Sequence, residues 1–147
     1  MSVQTPDLTR TFPRSPKEKM GGVAHLARMA DKARAKSAGT LGEYIYPCPL
    51  DKLLLEFLGV DDGAFFDAAR SNDDEAVLRW IVQNAKPKSP EEIEAWNRGF
   101  LSRRPEREDS QKRFLEIRSR VAPERTDVTA WTDLLDLEEG REVPPRN

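Results

Sequence analysis

The chain has 147 residues, 37% hydrophobic and 34% charged, with a mean hydropathy of −0.71, which suits one hydrophobic core and provides no apolar run of the roughly 20 residues a membrane span requires. A single cysteine, Cys48, excludes an internal disulfide, and with a single histidine, His25, it leaves too few ligands for the usual structural zinc sites. The formal net charge of −2 is laid out in compensating blocks, +5 over residues 1–40, −7 over 41–95, +4 over 96–125 and −4 thereafter, and not as the dominant basic surface that nucleic acid needs.

The opening stretch, MSVQTPDLTRTFPRSP, has no apolar run behind a basic start, so no secretory signal is expected and the chain reads as soluble and cytoplasmic. Residues 1–14 are expected to form an extended arm. Ser15, Pro16 and Glu18 combine a cap, a first-turn proline and a capping-box carboxylate, so a loose turn is expected there, weakened by Gly21 and Gly22. A firm helix should follow from about Val23 to Ser37, ending on Gly39 as a left-handed cap. Its face of Val23, Leu26, Met29, Ala30 and Ala33 should be core, and its face of His25, Arg28, Lys32 and Lys36 should be solvated.

Tyr44-Ile45-Tyr46, between Gly42 and the prolines at 47 and 49, reads as an extended loop. Pro49 marks the entrance to a short helix over Asp51 to Leu58, apolar nearly all round and therefore expected at the centre of the core. Gly59 closes it, Asp61 or Asp62 can cap the next helix, and Asp73 can cap a third carrying Val77, Leu78 and Trp80. Ser89-Pro90-Glu91-Glu92 repeats the cap signal before Ile93, Trp96 and Phe100. Pro105 breaks the chain ahead of a helix with Phe114, Ile117 and Val121. Thr126 or Asp127 is expected to cap a last helix with Val128, Trp131, Leu134 and Leu135, and residues 140–147 should fray. The expected architecture is one all-α domain over 1–147, an irregular bundle of six or seven short helices with little or no sheet.

Several strings, taken in order, resemble a known family: Phe12-Pro13-Arg14-Ser15-Pro16, Gly21-Gly22, LARMADK over 26–32, Ala38-Gly39, Glu43-Tyr44, Phe57-Leu58-Gly59-Val60, Glu94-Ala95-Trp96-Asn97 and the stretch Asp127 to Arg141. Together they are similar to the bacterial proteins grouped as domain of unknown function 5069, over almost the whole chain. The resemblance implies one folding unit and carries no established activity, substrate or cofactor.

Chemistry is sought first in Arg28, Asp31, Lys32 and Arg34. As a site, Arg28 and Lys32 would present cationic donors to a carboxylate or phosphate, steadied by Asp31; as structure, Asp31 is paired within a basic block, and that reading comes first. The loop with Tyr44, Tyr46, Cys48 and Asp51 could fold over this helix to complete a polar pocket, or its tyrosines could simply pack on the core edge. A Cys48–His25 dyad is the sharp catalytic alternative to a buried, inert thiol. The acidic residues between Asp61 and Glu75 supply caps, the three tryptophans supply core, and Arg98, Arg103, Arg104 and Arg107 complement helix ends. No motif for metal, nucleotide or a nucleophilic triad is present. The expected function is thus a small binding or regulatory module without cofactor, enzyme status leaning to no, its partner a protein or a small anionic ligand and neither membrane nor nucleic acid. The alternative is an enzyme or sensor recognising an anion through the Arg28/Lys32 helix and the Tyr44–Asp51 loop.

Overall fold

The computed structural model describes residues 5–146, which hold seven α-helices and one two-stranded hairpin. The all-α expectation therefore holds, with a minimal sheet. The chain divides into two compact units, Met1–Glu94 and Ala95–Asn147. No helix among the described residues is long and apolar enough to cross a membrane.

In the first unit, β1 (Lys19–Met20) and β2 (Val23–Ala24) pair antiparallel, Lys19 opposite Ala24 and Met20 opposite Val23. Their turn is Gly21-Gly22, with φ of +59° and +82°, the left-handed backbone that a two-residue hairpin demands and glycine adopts without steric cost. The glycines thus build a hairpin turn where a loose turn is expected, the hairpin takes up Val23 and Ala24, and α1 starts only at Leu26, running to Ala38. Gly39 ends it as anticipated, in the left-handed region with φ +73°.

The larger correction concerns the environment of α1. Every residue from Leu26 to Ala35 is buried, including Arg28 and Lys32, each 3% exposed, which amphipathic spacing assigns to solvent. Of the expected polar face only Lys36 is exposed. Buried charges persist only where partners compensate them, and those partners lie on other segments.

Helix α2 (Pro49–Leu58) starts two residues before the expected Asp51, because Cys48 is its N-cap and Pro49 its first residue. It buries Leu54, Leu55 and Leu58 while Lys52 and Glu56 stay exposed and Leu53 and Phe57 are half-buried. The central element is therefore α1 and not α2. Helix α3 (Asp62–Ser71) is capped by Asp61, whose carboxylate accepts from the Gly63 and Ala64 N–H groups, and α4 (Asp74–Asn84) by Asp73. Phe65 of α3 is completely buried, its ring 6.4 Å from Tyr46 and 6.5 Å from Trp80 of α4. Ahead of α5 (Pro90–Leu101), Ser89 and Glu92 exchange the two bonds of a capping box. All three of these caps fall where the sequence places them.

The second unit is built on α6 (Glu108–Val121) and α7 (Trp131–Glu138). Phe114, Val128, Leu134 and Val143 form its buried core, with Ile117, Trp131 and Leu137 packed against them. Neither Thr126 nor Asp127 caps α7, whose N-cap is Ala130; the Trp131 N–H is instead taken by the Arg103 carbonyl at 3.0 Å. The tail expected to fray is pinned over residues 141–146: Val143 is buried, Arg125 donates to its carbonyl, and Arg146 binds Asp133 through two bonds of 3.0 Å. Of the expected N-terminal arm, residues 1–4 lie outside the described residues; the rest turns at Asp7, and the buried Leu8 donates its N–H to the Thr40 carbonyl.

Candidate functional site

Two local features of the sequence build the site. His25 is the N-cap of α1 and Lys32 stands seven residues on, about two helical turns, in the middle of that helix. Cys48, Pro49 and Asp51 start α2 with a capping box, in which the Cys48 N–H donates to Asp51 Oδ2 at 2.9 Å and the Asp51 N–H approaches Cys48 Sγ at 3.5 Å. Pro49 sits at the first helical position, where its missing N–H leaves no carbonyl unmatched.

These two features meet. Asp51 is completely buried, its Oδ1 2.7 Å from His25 Nε2 and its Oδ2 2.7 Å from Lys32 Nζ. Lys32 Nζ also donates to Cys48 Sγ at 3.1 Å. Burial pushes the Asp51 carboxyl upward, but the His25 hydrogen bond and the Lys32 charge outweigh it and hold the group well below the usual carboxylate range. His25, itself completely buried, is shifted down by desolvation despite the bond to Asp51, and so is neutral. A carboxylate only accepts, so the neutral imidazole carries its hydrogen on Nε2 and donates it to Oδ1. The cluster therefore closes with one cation, one anion and a neutral ring. No net charge is buried with it, which is the condition for placing ions out of water.

The direction of the His25 shift fixes the sign of a pH effect. With the folded group below its ordinary value near 6.5, the unfolded chain takes up the proton first, so this contribution is complete above about pH 6.5 and is lost progressively below it. Asp51 and Asp74, both shifted down, lose theirs only below about pH 4. His25 is the only histidine, so the upper window reports on it alone among the side chains. The melting temperature should fall from about pH 7 to pH 5 in the native protein and stay nearly flat in His25→Asn, a substitution chosen because asparagine tolerates the left-handed backbone at this position, φ +71°. A flat native profile over that range would refute the assignment.

His25, Cys48 and Asp51 offer donor atoms within 4.8 Å of one another, a nitrogen, sulfur and oxygen set of the type zinc accepts. Lys32 bonds two of the three, so a metal ion would have to displace a buried ammonium from the position a cation would take. The protein supplies the positive charge of this cluster from its own side chain.

Of the residues singled out in sequence, His25, Lys32, Cys48 and Asp51 come together, with the His25 Nε2 on Asp51 at 2.7 Å, and Arg28, Asp31, Tyr44 and Tyr46 serve other partners. Arg28 donates to the Arg14 carbonyl at 3.2 Å and lies 5.6 Å over the Tyr44 ring. Asp31 does not hold Arg28; it accepts from the Arg14 N–H, Nε and Nη2 at 2.9, 3.1 and 3.0 Å. Tyr46 donates its hydroxyl to the Asp62 carbonyl at 2.8 Å, and burial raises its phenol. Sequence reasoning misses Arg14 altogether. Its guanidinium spans Asp31 and Asp74, while Arg34 reaches the same Asp74 at 2.9 Å and also the Ala69 and Asn72 carbonyls at the end of α3. This second network clasps the segment before the hairpin, α1 and the α3–α4 junction. Arg14 and Asp74 are 60 residues apart, and no local spacing announces such a pair.

A family model described as a domain of unknown function (DUF5069) matches residues 10–141, a span that contains all four clustered residues. Comparison with curated proteins gives no match.

Proposed function

The chain belongs to the DUF5069 family, and we propose that this member is a small cytoplasmic regulatory module whose working group is the Cys48 thiol. The observation that carries this reading is the 3.1 Å contact from Lys32 Nζ to Cys48 Sγ, made at the N-terminus of α2 and backed by a buried carboxylate and imidazole. Cationic neighbours and helix N-termini are the surroundings of reactive cysteines. Here Cys48 is half-buried as a residue, while His25, Lys32 and Asp51 beside it are buried. A reducing compartment suits a lone working thiol, which supports the cytoplasmic assignment. The anion-binding alternative would draw on the same meeting of the Lys32 helix with the 44–51 loop, but there the Lys32 charge is already matched by Asp51.

The test needs no variant. The rate of alkylation of Cys48 by iodoacetamide at neutral pH is expected to be on the order of tenfold faster in the native protein than in the denatured chain, the effect of about one charge-assisted hydrogen bond on the attacking sulfur. Cys48→Ala sets the background. A native rate equal to or below the denatured one would sink the proposal.

A further inference from the structure

We infer that oxidation of Cys48 is captured by Lys32 as a covalent sulfur–nitrogen bond, so that this pair is a modification site joining α1 to the start of α2. The inference rests on the reading of Cys48 as the working thiol. A cysteine oxidised to a sulfenic acid usually condenses with a second thiol, or with a nearby nitrogen. No second cysteine exists in this chain. The nitrogen does: Lys32 Nζ is 3.1 Å from Cys48 Sγ and is fixed there by Asp51 at 2.7 Å. The two atoms come from positions 16 residues apart and are in contact before any chemistry occurs, so closing the bond costs little further ordering of the chain.

The chemistry balances with a peroxide as the only co-reactant. The Cys48 thiol gives up its proton, and the sulfur attacks one peroxide oxygen, breaking the O–O bond; sulfur is oxidised and peroxide reduced. The hydroxide that leaves takes a proton from the Lys32 ammonium and departs as water, which turns the amine into a nucleophile. Its lone pair then forms the S–N bond as the sulfenic hydroxyl leaves, carrying the proton released from nitrogen, as a second water. The net change is loss of one hydrogen from sulfur and two protons from the ammonium, consumption of one peroxide, formation of two waters and release of one proton. One positive charge disappears from the cluster. Asp51 keeps the His25 ring and the Cys48 N–H but loses its cationic partner, so the event is transmitted as a change in charge balance between α1 and the start of α2.

The experiment exposes the whole protein to hydrogen peroxide with and without dimedone, which traps sulfenic acid, followed by intact-mass measurement and tandem mass spectrometry after proteolysis. Expected is an intact mass lower by two hydrogen atoms, peptides containing Lys32 and Cys48 joined to each other, and return to the starting mass with dithiothreitol. Lys32→Arg should keep the dimedone adduct and lose the joined peptides. If dimedone labels Cys48 in the native protein but no joined peptide forms, the crosslink is wrong and the thiol reading stands. If Cys48 takes up neither peroxide nor dimedone, the thiol reading itself falls. A joined product retaining a peroxide oxygen would overturn the direct S–N bond.

Discussion

Asp51→Ala is expected to lower folding stability by about 3–5 kcal/mol, because it removes one partner of a buried ion pair and leaves the other uncompensated. The structure makes the case for the upper part of that range. Asp51 has no solvent exposure, and its carboxylate accepts from His25, Lys32 and the Cys48 N–H at once. Truncation therefore strands the Lys32 ammonium, 3% exposed, without its carboxylate partner, and it also removes half of the cap of α2. The double substitution Lys32→Met with Asp51→Leu should recover most of the loss, since replacing a buried pair by apolar groups of similar volume is often neutral or better. Urea unfolding of the three proteins, compared at equal slope, is the measurement. A single substitution costing less than about 1 kcal/mol would mean the pair is solvated in solution and the cluster does not exist as described.

The second large effect is expected at a position that does no chemistry. Phe65→Ala should cost about 3–5 kcal/mol, the transfer term for an aromatic ring plus the cavity it leaves. Phe65 is completely buried, flanked by Tyr46 on one side and Trp80 on the other. Tyr46 lies two residues before Cys48, so the cavity also removes the wall against which the site-bearing loop rests. Phe65→Leu should fall between the native protein and the alanine variant. The discriminating readout is the alkylation rate of Cys48 in the folded Phe65→Leu protein: a rate moved toward the denatured value shows that the loop is held through Tyr46, and an unchanged rate denies it.

What is legible in the sequence and what is not divide along a physical line. Asp61, Asp73 and Ser89 are readable as caps because a cap is a contract among residues within one turn. Gly39 is readable for the same reason. Cys48 and Asp51 both stand out, yet their capping box does not, because cysteine is a weaker acceptor than serine in the same position. The hairpin escapes notice, since two pairs of residues carry no alternation and the glycine pair reads equally as a helix breaker. The burial of α1 is hidden because spacing reports which residues share a face and not what covers that face. Lys32 and His25 lie 19 and 26 residues from Asp51, and only the folded chain brings them to it.

The clasp of Arg14, Asp31, Arg34 and Asp74 has a consequence for motion. Its four charges come from three stretches of chain, so separating any one stretch would expose or strand a partner on the other two. Opening of the segment before the hairpin, of α1, or of the junction between α3 and α4 is therefore not three independent events. In the language of amide hydrogen exchange they belong to a single cooperative unit, whose protection should rise and fall together and approach that of global unfolding. Helix α1, which carries Lys32 of the thiol site, is a member of that unit, so the Lys32 side of the site should share its protection.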